Sequence, residues 1–247
     1  MATALSDRWL VFGTEVPNPA EIRDARFAGA VFTCAAAEAR AVVRGTGLEA
    51  VTLAGRGLSA LACIRYVDTD LGPYDEVALQ VLVRGPGGGV GLYTAELPVT
   101  GEFTLHAGRQ IWGLPKWRAR SEGTFDDRHV RLRLWDGATR VVAVAFDGGP
   151  VALPSALGVP LPTWAVRPDG PQAGEVLHGG LELRAEGMRL RPGGARVALG
   201  EHRMSDVARR LGVTGTAVCT LSARRLTGSI GTWGVALPSQ RKAGPAH

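Results

Sequence analysis

Lysine is scarce in this sequence. Lys116 and Lys242 are the only two lysines among 28 lysine and arginine residues in a chain of 247. An arginine guanidinium stays protonated in a protein, whereas the pKa of a buried lysine changes readily, so that its amine can act as a base or form a Schiff base. A chain that has arginine at nearly every other cationic position therefore indicates a chemical task for Lys116, which lies between Pro115 and Trp117.

Cysteine and histidine are also few, and their spacing argues against the common metal sites. Cys34, Cys63 and Cys219 lie far apart and form no C-x-x-C pair, which favours neither a disulfide framework nor a zinc site. No two of the five histidines are spaced i, i+4. We therefore expect a reducing compartment, no metal and no cofactor.

Long apolar runs are missing as well. No segment reaches the roughly 18 apolar residues of a membrane span, and residues 1–13 lack the basic start and apolar run of a secretory signal. We expect a soluble, cytoplasmic protein that does not bind membranes.

The positive charge is distributed along the whole chain. The net charge is +5 and the pI is about 9.6, but the arginines do not form blocks. Such a distribution argues against a dedicated nucleic-acid surface and permits small anionic ligands.

One segment has the pattern of a DNA-binding motif. Residues 205–214 look like the first helix and turn of a helix-turn-helix, but residues 214–220, where the recognition helix should follow, are β-branched and contain glycine. We favour a helix from Ser205 to Leu211, capped by Ser205 and ended by Gly212. A DNA-associated function through residues 205–225 remains a minor alternative.

Residues 85–91 contain glycines at a spacing that nucleotide-binding loops use. A phosphate-binding glycine loop must lead into a helix, whereas residues 90–97 have the composition of a strand. A hairpin loop is the favoured interpretation.

The remaining pattern predicts an α+β, mostly antiparallel β protein. We expect one domain over residues 1–247, with an N-terminal arm over 1–25, a helix over 35–43 capped by Thr33 and a flexible tail over 238–247. The chain is proline-rich from Gly148 to Pro171. Val130, Leu132 and Leu134 alternate with arginines before Asp136-Gly137, which predicts a hairpin. The predicted strands are 9–12, 26–32, 58–66, 77–83, 90–97, 130–134, 140–146 and a strand or hairpin over 181–190.

Two segments together resemble one known family. The decapeptide Gly108–Trp117 is similar to the lysine motif of the acetoacetate decarboxylase superfamily, and Tyr74-Asp75-Glu76 is similar to its Tyr-x-Glu segment. The resemblance covers residues 26–145 and is moderately specific. It implies a cone-like, mostly antiparallel β-barrel with a few peripheral helices, a lysine inside the barrel, and a homo-oligomer.

The resemblance also implies roles for individual residues. Lys116 would be the Schiff-base nucleophile, Glu76 a carboxylate in the reaction cavity, and Arg26 a partner for the substrate carboxylate. Gln110 stands where the decarboxylases have a glutamate, and Trp117 stands where they have a second lysine. The expected substrate-binding residues, beyond these catalytic two, are Arg26, Tyr74, Gln110, Trp117 and Arg118.

The implied activity is decarboxylation of a small β-keto acid through a lysine imine. An aldolase or dehydratase that also uses a lysine imine, and a barrel that binds small molecules without catalysis, are the alternatives. Half of the Lys116 amine is neutral at pH 7 only if its pKa falls by about 3.4, which corresponds to about 4.6 kcal/mol. With Trp117 in place of a cation, burial has to provide most of this decrease. Arg118 would lie on the same face of an extended strand, about 6.6 Å from Lys116 along it.

Overall fold

Strands make up most of the chain. In the part that the structure, a computed structural model, describes (residues 3–4, 7–126, 128–154 and 157–237), there are twenty strands and three α-helices. In chain order the strands are β1 (Thr3–Ala4), β2 (Arg8–Val11), β3 (Thr14–Pro17), β4 (Ala20–Ala35), β5 (Glu49–Ala50), β6 (Thr52–Leu53), β7 (Arg56–Thr69), β8 (Tyr74–Arg84), β9 (Val90–Val99), β10 (Lys116–Arg118), β11 (Arg120–Phe125), β12 (His129–Asp136), β13 (Thr139–Asp147), β14 (Val151–Ala152), β15 (Leu157–Val166), β16 (Val176–Glu186), β17 (Arg189–Pro192), β18 (Ala195–Leu199), β19 (Cys219–Ile230) and β20 (Gly234–Leu237). The helices are α1 (Ala36–Val42), α2 (Glu102–Trp112) and α3 (Arg203–Arg210).

Seven of these strands close into a barrel. Each strand in the order β19, β4, β7, β8, β9, β15, β16 pairs with the next, and β16 pairs with β19 to complete the ring. All of these pairings are antiparallel except that of β9 with β15. The prediction of a mostly antiparallel barrel with a few helices is confirmed.

Two smaller sheets accompany the barrel. Strands β11, β12, β13 and β18 form an antiparallel sheet, and β1, β2 and β3 form another. The predicted hairpin is the centre of the four-stranded sheet, with the left-handed Gly137 in its turn.

Alternation along the barrel strands divides the apolar residues between two cores. On β7, Leu61 and Cys63 belong to a core that also contains Leu132 and other residues of the four-stranded sheet. Ala62 and Ile64, the alternate residues of the same strand, belong to a second core with Trp112 of α2. Because successive side chains of a strand point to opposite faces, the barrel interior receives only every second residue.

The predicted N-terminal arm is largely part of the folded structure. Residues 20–25 begin β4, a strand of 16 residues in the barrel. Trp9 is buried and its ring packs edge-on against Trp112 at 5.5 Å. The arm prediction is wrong for these residues, because their apolar side chains bury against partners that are distant in sequence.

Helix α1 begins later than predicted and lacks the predicted cap. Thr33 lies within β4, where its Oγ1 accepts a hydrogen bond from Arg56 Nε at 3.0 Å. Pairing with β7 keeps this segment extended through Ala35, and the helix begins at Ala36 without a side-chain cap.

The proline-rich stretch, in which no strand was predicted, contains a barrel strand, β15. It includes Pro160 and Pro162, and proline cannot donate a hydrogen bond to a neighbouring strand. Strand β15 pairs with β9 only at Thr163 and Trp164, so one side of the strand needs no donor at the two prolines. No strand signal is present in the sequence here, because pairing along one side only is a tertiary feature without a local pattern.

Helix α3 begins earlier than the predicted helix, which was expected to start with Ser205 as its cap. It begins at Arg203, and the His202 side chain accepts the cap hydrogen bond from Met204 N at 3.1 Å, while Ser205 is buried and donates to Val141 O. Gly212 has a positive φ of 74° and follows the helix end as predicted. Strand β19 follows, not a recognition helix.

Residues 238–247, predicted to be a flexible tail, lie outside the described residues, and the assignment of the chain to one domain stays a prediction. None of the helices in the described ranges has both the length and the apolar character needed to cross a membrane.

Candidate active site

Lys116 lies inside the barrel at the junction of α2 and β10. Helix α2 ends at Trp112, the left-handed Gly113 (φ 62°) reverses the chain, and β10 then pairs with β9 from Lys116 onward. Helix α2 was not predicted from the sequence. Its residues include β-branched and aromatic side chains and a glycine, which are weak helix formers, and the tertiary contacts of Ala107 and Trp112 override this.

The ammonium of Lys116 is held by three side chains, two from β8 and one from α2. Its Nζ lies 3.0 Å from Oε2 of Glu76 and donates a hydrogen bond of 2.9 Å to Oγ1 of Thr104. It also lies 5.0 Å from the centre of the Tyr74 ring. Lys116 is 2% exposed and Glu76 is 7% exposed, so the ion pair has little contact with bulk water.

A glycine makes room for the lysine chain where it crosses α2. Gly108 lies one helical turn after Thr104, on the same face of the helix. A Cβ atom at position 108 would lie 2.5 Å from Lys116 Cδ and 2.7 Å from Cε, closer than carbon atoms can approach. Gly108 of the lysine motif therefore leaves the space through which the Lys116 side chain passes.

Gly108→Ala should displace the Lys116 amine. The helix itself would gain from alanine, which has a higher helix propensity than glycine, so the fold should survive. A displacement of about 1 Å of a reacting group reduces rates by about 100-fold, and we expect a loss of that size in the rate of any reaction that the Lys116 amine performs. Gly234→Ala, at an exposed glycine where an added Cβ would meet no atom within 4 Å, is the matched control. An unchanged rate in Gly108→Ala would contradict the packing.

The charge on Glu76 decides the protonation of Lys116. Burial alone lowers the pKa of the ammonium, but the Glu76 carboxylate and Tyr74 outweigh it, so the pKa lies above its ordinary value of 10.5. Burial does act to lower this pKa, as a neutral amine would require, but a carboxylate accompanies the lysine into the cavity and reverses the direction of the change. The unliganded protein holds an ammonium–carboxylate pair at neutral pH.

Two tyrosines complete the surroundings of the pair. Their rings stack at 4.4 Å, and Tyr66 donates to Oε1 of Glu76 at 3.4 Å. Burial raises the pKa of Tyr66 and Tyr74, and the Glu76 charge adds to it, while Lys116 partly offsets the effect at Tyr74. Both phenols therefore remain protonated donors at neutral pH.

These raised pKa values predict a loss of stability in alkali. In the unfolded chain the tyrosines lose protons near 10.0 and the lysine near 10.5, whereas the folded protein retains those protons to higher pH. Above about pH 10 the unfolded state therefore binds fewer protons, and the free energy of unfolding should fall by about 1.4 kcal/mol per pH unit for each such group. Urea unfolding between about pH 8 and about pH 11 measures this slope. A stability that does not change over that range would contradict the buried, protonated cluster.

The pair opens into a cavity of about 300 Å³ inside the barrel. Its lining is mostly aliphatic and aromatic, and the charged members are Glu21, Glu76 and Lys116. Among the described residues that form this wall there is no arginine and no histidine. Glu21 is exposed, which places it where the cavity meets solvent.

A family model for acetoacetate decarboxylase matches residues 11–232. The chain belongs to the acetoacetate decarboxylase family. A search of curated protein sequences finds no match.

Solved structures of acetoacetate decarboxylase type share the fold. The enzyme from Legionella pneumophila subsp. pneumophila str. Philadelphia 1 is 15% identical, with a TM-score of 0.76 over 96% of this chain and 93% of that one. An acetoacetate decarboxylase-like enzyme from Sphingomonas wittichii RW1 is 16% identical, with a TM-score of 0.69 over 91% and 95%. The enduracididine biosynthesis enzyme MppR, in complex with the condensation product of pyruvate and imidazole 4-carboxaldehyde, is 13% identical, with a TM-score of 0.67 over 90% of each chain.

Of the site residues that the decarboxylase resemblance implied, the structure brings Lys116, Glu76 and Tyr74 together at one wall of the cavity. It does not bring Arg26 there. On β4, Phe27 is the cavity residue, and Arg26 points to the opposite face, where its guanidinium pairs with Asp24 at 2.5 Å. The Arg26 side chain therefore lies outside the cavity, because neighbouring residues of a strand face opposite sides.

Trp117 also faces away from the cavity. Its Nε1 donates to Glu96 Oε2 at 2.7 Å, and the guanidinium of Arg203 lies 5.3 Å from its ring centre. Neighbouring residues of β10 point to opposite faces, so position 117 cannot contact the amine at position 116. A cation at this position of the present fold would lie beside Glu96.

The other two expected substrate contacts are outside the cavity lining. The carbonyl of Gln110 accepts a hydrogen bond from Arg167, and its side-chain Oε1 is buried without a hydrogen-bond partner among the described residues. Arg118 is exposed and lies 3.5 Å from Glu102. Neither side chain touches the Lys116 amine.

Sequence reasoning missed Thr104 and Tyr66. Tyr66 lies directly opposite Tyr74 in the register of β7 and β8, a relation that depends on the hairpin register. Thr104 is one turn before Gly108, a signal that is readable only once α2 is assigned. Within the described residues, no three histidine, cysteine, aspartate or glutamate side chains are grouped as a metal site requires.

Proposed function

We propose that this protein is a lyase that forms a Schiff base between Lys116 and a β-keto acid and releases carbon dioxide. The observation that carries the proposal is the buried pair of Lys116 and Glu76, with 3.0 Å between Nζ and Oε2, in the wall of an apolar cavity. Membership of the acetoacetate decarboxylase family supports it.

The first step is a proton transfer within the pair. The amine must be neutral to attack a carbonyl carbon, and Lys116 rests as an ammonium. Substrate that fills the cavity displaces water, and a drier site favours the neutral forms of both partners. The proton then moves from Nζ to the adjacent carboxylate oxygen of Glu76, which leaves a free amine beside a carboxylic acid.

The second step forms the imine. The Nζ lone pair adds to the ketone carbon, and the carbonyl oxygen takes the proton from Glu76. Loss of this hydroxyl as water, with a proton from the same pair, gives a protonated imine. Thr104 accepts a hydrogen bond from Nζ and orients the amine toward the cavity.

The third step breaks the carbon–carbon bond. The electron pair of the bond to the carboxylate moves into the iminium, carbon dioxide leaves, and an enamine remains. This step turns an iminium cation and a carboxylate into two neutral products, so an apolar cavity accelerates it. The lack of an arginine in the lining therefore favours decarboxylation, since a guanidinium would stabilise the carboxylate before the bond breaks.

The final steps return the enzyme to its resting state. The Glu76 carboxylate first takes up one proton from water, which is the proton that decarboxylation of a keto-acid anion consumes overall. Its acid form then protonates the enamine carbon as general acid. Water then hydrolyses the imine and releases a ketone, and Lys116 regains its proton. Tyr66, which donates to Glu76, holds this carboxyl group in position.

Deprotonation of a neighbouring C–H of the iminium, in place of loss of carbon dioxide, also gives an enamine, and this enamine attacks an aldehyde. The lysine-imine aldolase or dehydratase is the second candidate, and the structure of MppR with a condensation product is its support on the same fold. The two candidates share the Lys116 imine and differ in whether carbon dioxide leaves.

Sodium borohydride trapping tests the shared step. The protein is incubated with acetoacetate or pyruvate, reduced, and digested, and mass spectrometry locates the added mass. We expect the adduct on Lys116. The chain has only one other lysine, so Lys242→Arg is a matched control that should retain the adduct. Absence of a ligand-dependent adduct on Lys116 with any keto acid would contradict the proposal and favour a non-catalytic binding barrel.

The proposal also includes a homo-oligomer in the cytoplasm, with a small keto acid as its ligand and no nucleic acid as a partner. Light scattering after gel filtration measures the subunit number. A gel shift at low and high salt tests for DNA association through residues 205–225.

A further inference from the structure

The cavity extends well beyond the lysine and its carboxylate. Glu76, Ala78 and Gln80 alternate on the inward face of β8, and all three line the cavity. The four residue steps from Glu76 to Gln80 span about 13 Å. A fully extended chain advances about 3.5 Å for every three bonds, so this length can hold a ligand chain of about eleven bonds.

Small residues on adjacent strands create this space. Ala78 on β8 lies opposite Ala62 on β7, and Ala62 lies opposite Gly29 on β4. A Cβ atom at Gly29 would lie 3.2 Å from the Cβ of Ala62 and 3.2 Å from a ring carbon of Phe27. The adjacent strands β4, β7 and β8 thus have glycine or alanine at neighbouring positions, and this row lies beside Glu76.

The walls around this level are apolar. Leu161, Leu181, Leu183 and Leu221 line the cavity from the strands that face β7 and β8. The polar groups at the level of Gln80 are already paired, since its Nε2 donates to Thr94 Oγ1 at 3.2 Å and Thr163 Oγ1 donates to Leu161 O at 3.0 Å. Nothing in this part of the described lining would recognise a second charge.

We propose that the substrate carries an unbranched apolar tail, with its ketone at Lys116 and its chain over Ala62 and Ala78 toward Thr94. The substrate class is therefore a medium-chain β-keto acid. This inference rests on the proposed Lys116 imine and specifies what the imine is formed with. The methyl group of acetoacetate would leave most of the aliphatic wall without a contact.

The chain-length dependence of kcat/KM tests the inference. Acetoacetate, β-ketohexanoate, β-ketooctanoate and β-ketodecanoate are compared, with the spontaneous decarboxylation of each subtracted. Each methylene that leaves water for the cavity should raise kcat/KM about fourfold, so β-ketohexanoate should exceed acetoacetate by about 15-fold. Borohydride trapping with each acid is run in parallel.

A variant that fills the tail path gives an independent readout. Ala78→Leu puts a larger side chain over the level of Ala62, and we expect the ratio of kcat/KM for β-ketooctanoate to that for acetoacetate to fall at least about 10-fold. Ala198→Leu makes the same change at an exposed position of β18 and should leave this ratio unchanged. If Ala78→Leu does not fold, as judged by circular dichroism, the smaller Ala78→Val takes its place.

The outcomes separate the inference from the function on which it rests. Adducts on Lys116 with every acid, but kcat/KM flat or falling with chain length, would overturn the apolar-tail substrate and leave the lysine imine intact. Equal loss for both substrates in the Ala78 variant would overturn it too. Absence of an adduct with any acid would overturn the proposed function, and the inference with it.

Discussion

Replacing Lys116 by methionine is expected to abolish turnover. Methionine is unbranched and fits the same channel past Gly108, but it has no amine to form an imine. Removal of a covalent nucleophile reduces kcat by about 10⁵-fold or more. The measurement is carbon dioxide release from a β-keto acid, with the spontaneous reaction subtracted.

Folding controls distinguish lost chemistry from lost structure. Lys116→Met leaves Glu76 buried without its counter-ion, and a broken buried pair destabilises a protein by about 3–5 kcal/mol. The double variant Lys116→Met, Glu76→Gln removes both charges and should recover much of this stability while it stays inactive. Lys242→Arg should keep full activity. Substantial turnover by the folded double variant would contradict a covalent role for Lys116.

Replacing Glu76 by glutamine is expected to separate imine formation from turnover. Burial lowers the pKa of Lys116, and the Glu76 carboxylate is the main reason that the pKa is nevertheless raised. Without the carboxylate, burial remains, so the pKa should fall below its ordinary value and more of the amine should be neutral. Borohydride should therefore still trap the imine, whereas kcat should fall by about 10²–10⁴-fold because the enamine lacks its proton donor.

The adjacent carboxylate on the same strand provides a matched control. Asp75 points to the outer face of β8 and binds Arg65, with 2.7 Å between Nε and Oδ1. Asp75→Asn makes the same chemical change one residue away, and it should cost stability without a change in the pKa of Lys116. The pH dependence of amine modification compares the two variants. If both leave the Lys116 pKa where it is in the unchanged protein, Glu76 does not control it.

The raised pKa of Lys116 means that its amine is protonated, not neutral, in the unliganded protein. A strongly lowered pKa would have given a neutral amine in the resting protein. In that case Trp117, in place of a neighbouring cation, would have removed one cause of the lowered pKa. In the structure Trp117 binds Glu96 on the other side of β10, so it has no direct effect on the amine. In the proposed mechanism the neutral amine arises instead by proton transfer to Glu76, so the residue that raises the pKa of Lys116 is also the one that later serves as acid.

Several features followed from the sequence by itself. The hairpin of β12 and β13 was predictable because a strict alternation of apolar residues and an Asp-Gly turn are local signals. Lys116 was recognisable because lysine is rare in the chain, and its motif with Tyr74-Asp75-Glu76 was enough to indicate the family and the barrel.

Other features were decided only by the tertiary structure. The side on which Arg26 and Trp117 lie depends on strand register, and a difference of one residue reverses the face of a side chain. The sign of the Lys116 pKa change depends on how close Glu76 comes in space, across 40 residues of sequence. The width of the cavity depends on Gly29, Ala62 and Ala78 lying side by side on three strands. The sequence determined which groups the chain has for its chemistry, whereas long-range strand pairing determined which of them meet, because contacts between distant residues have no local signal.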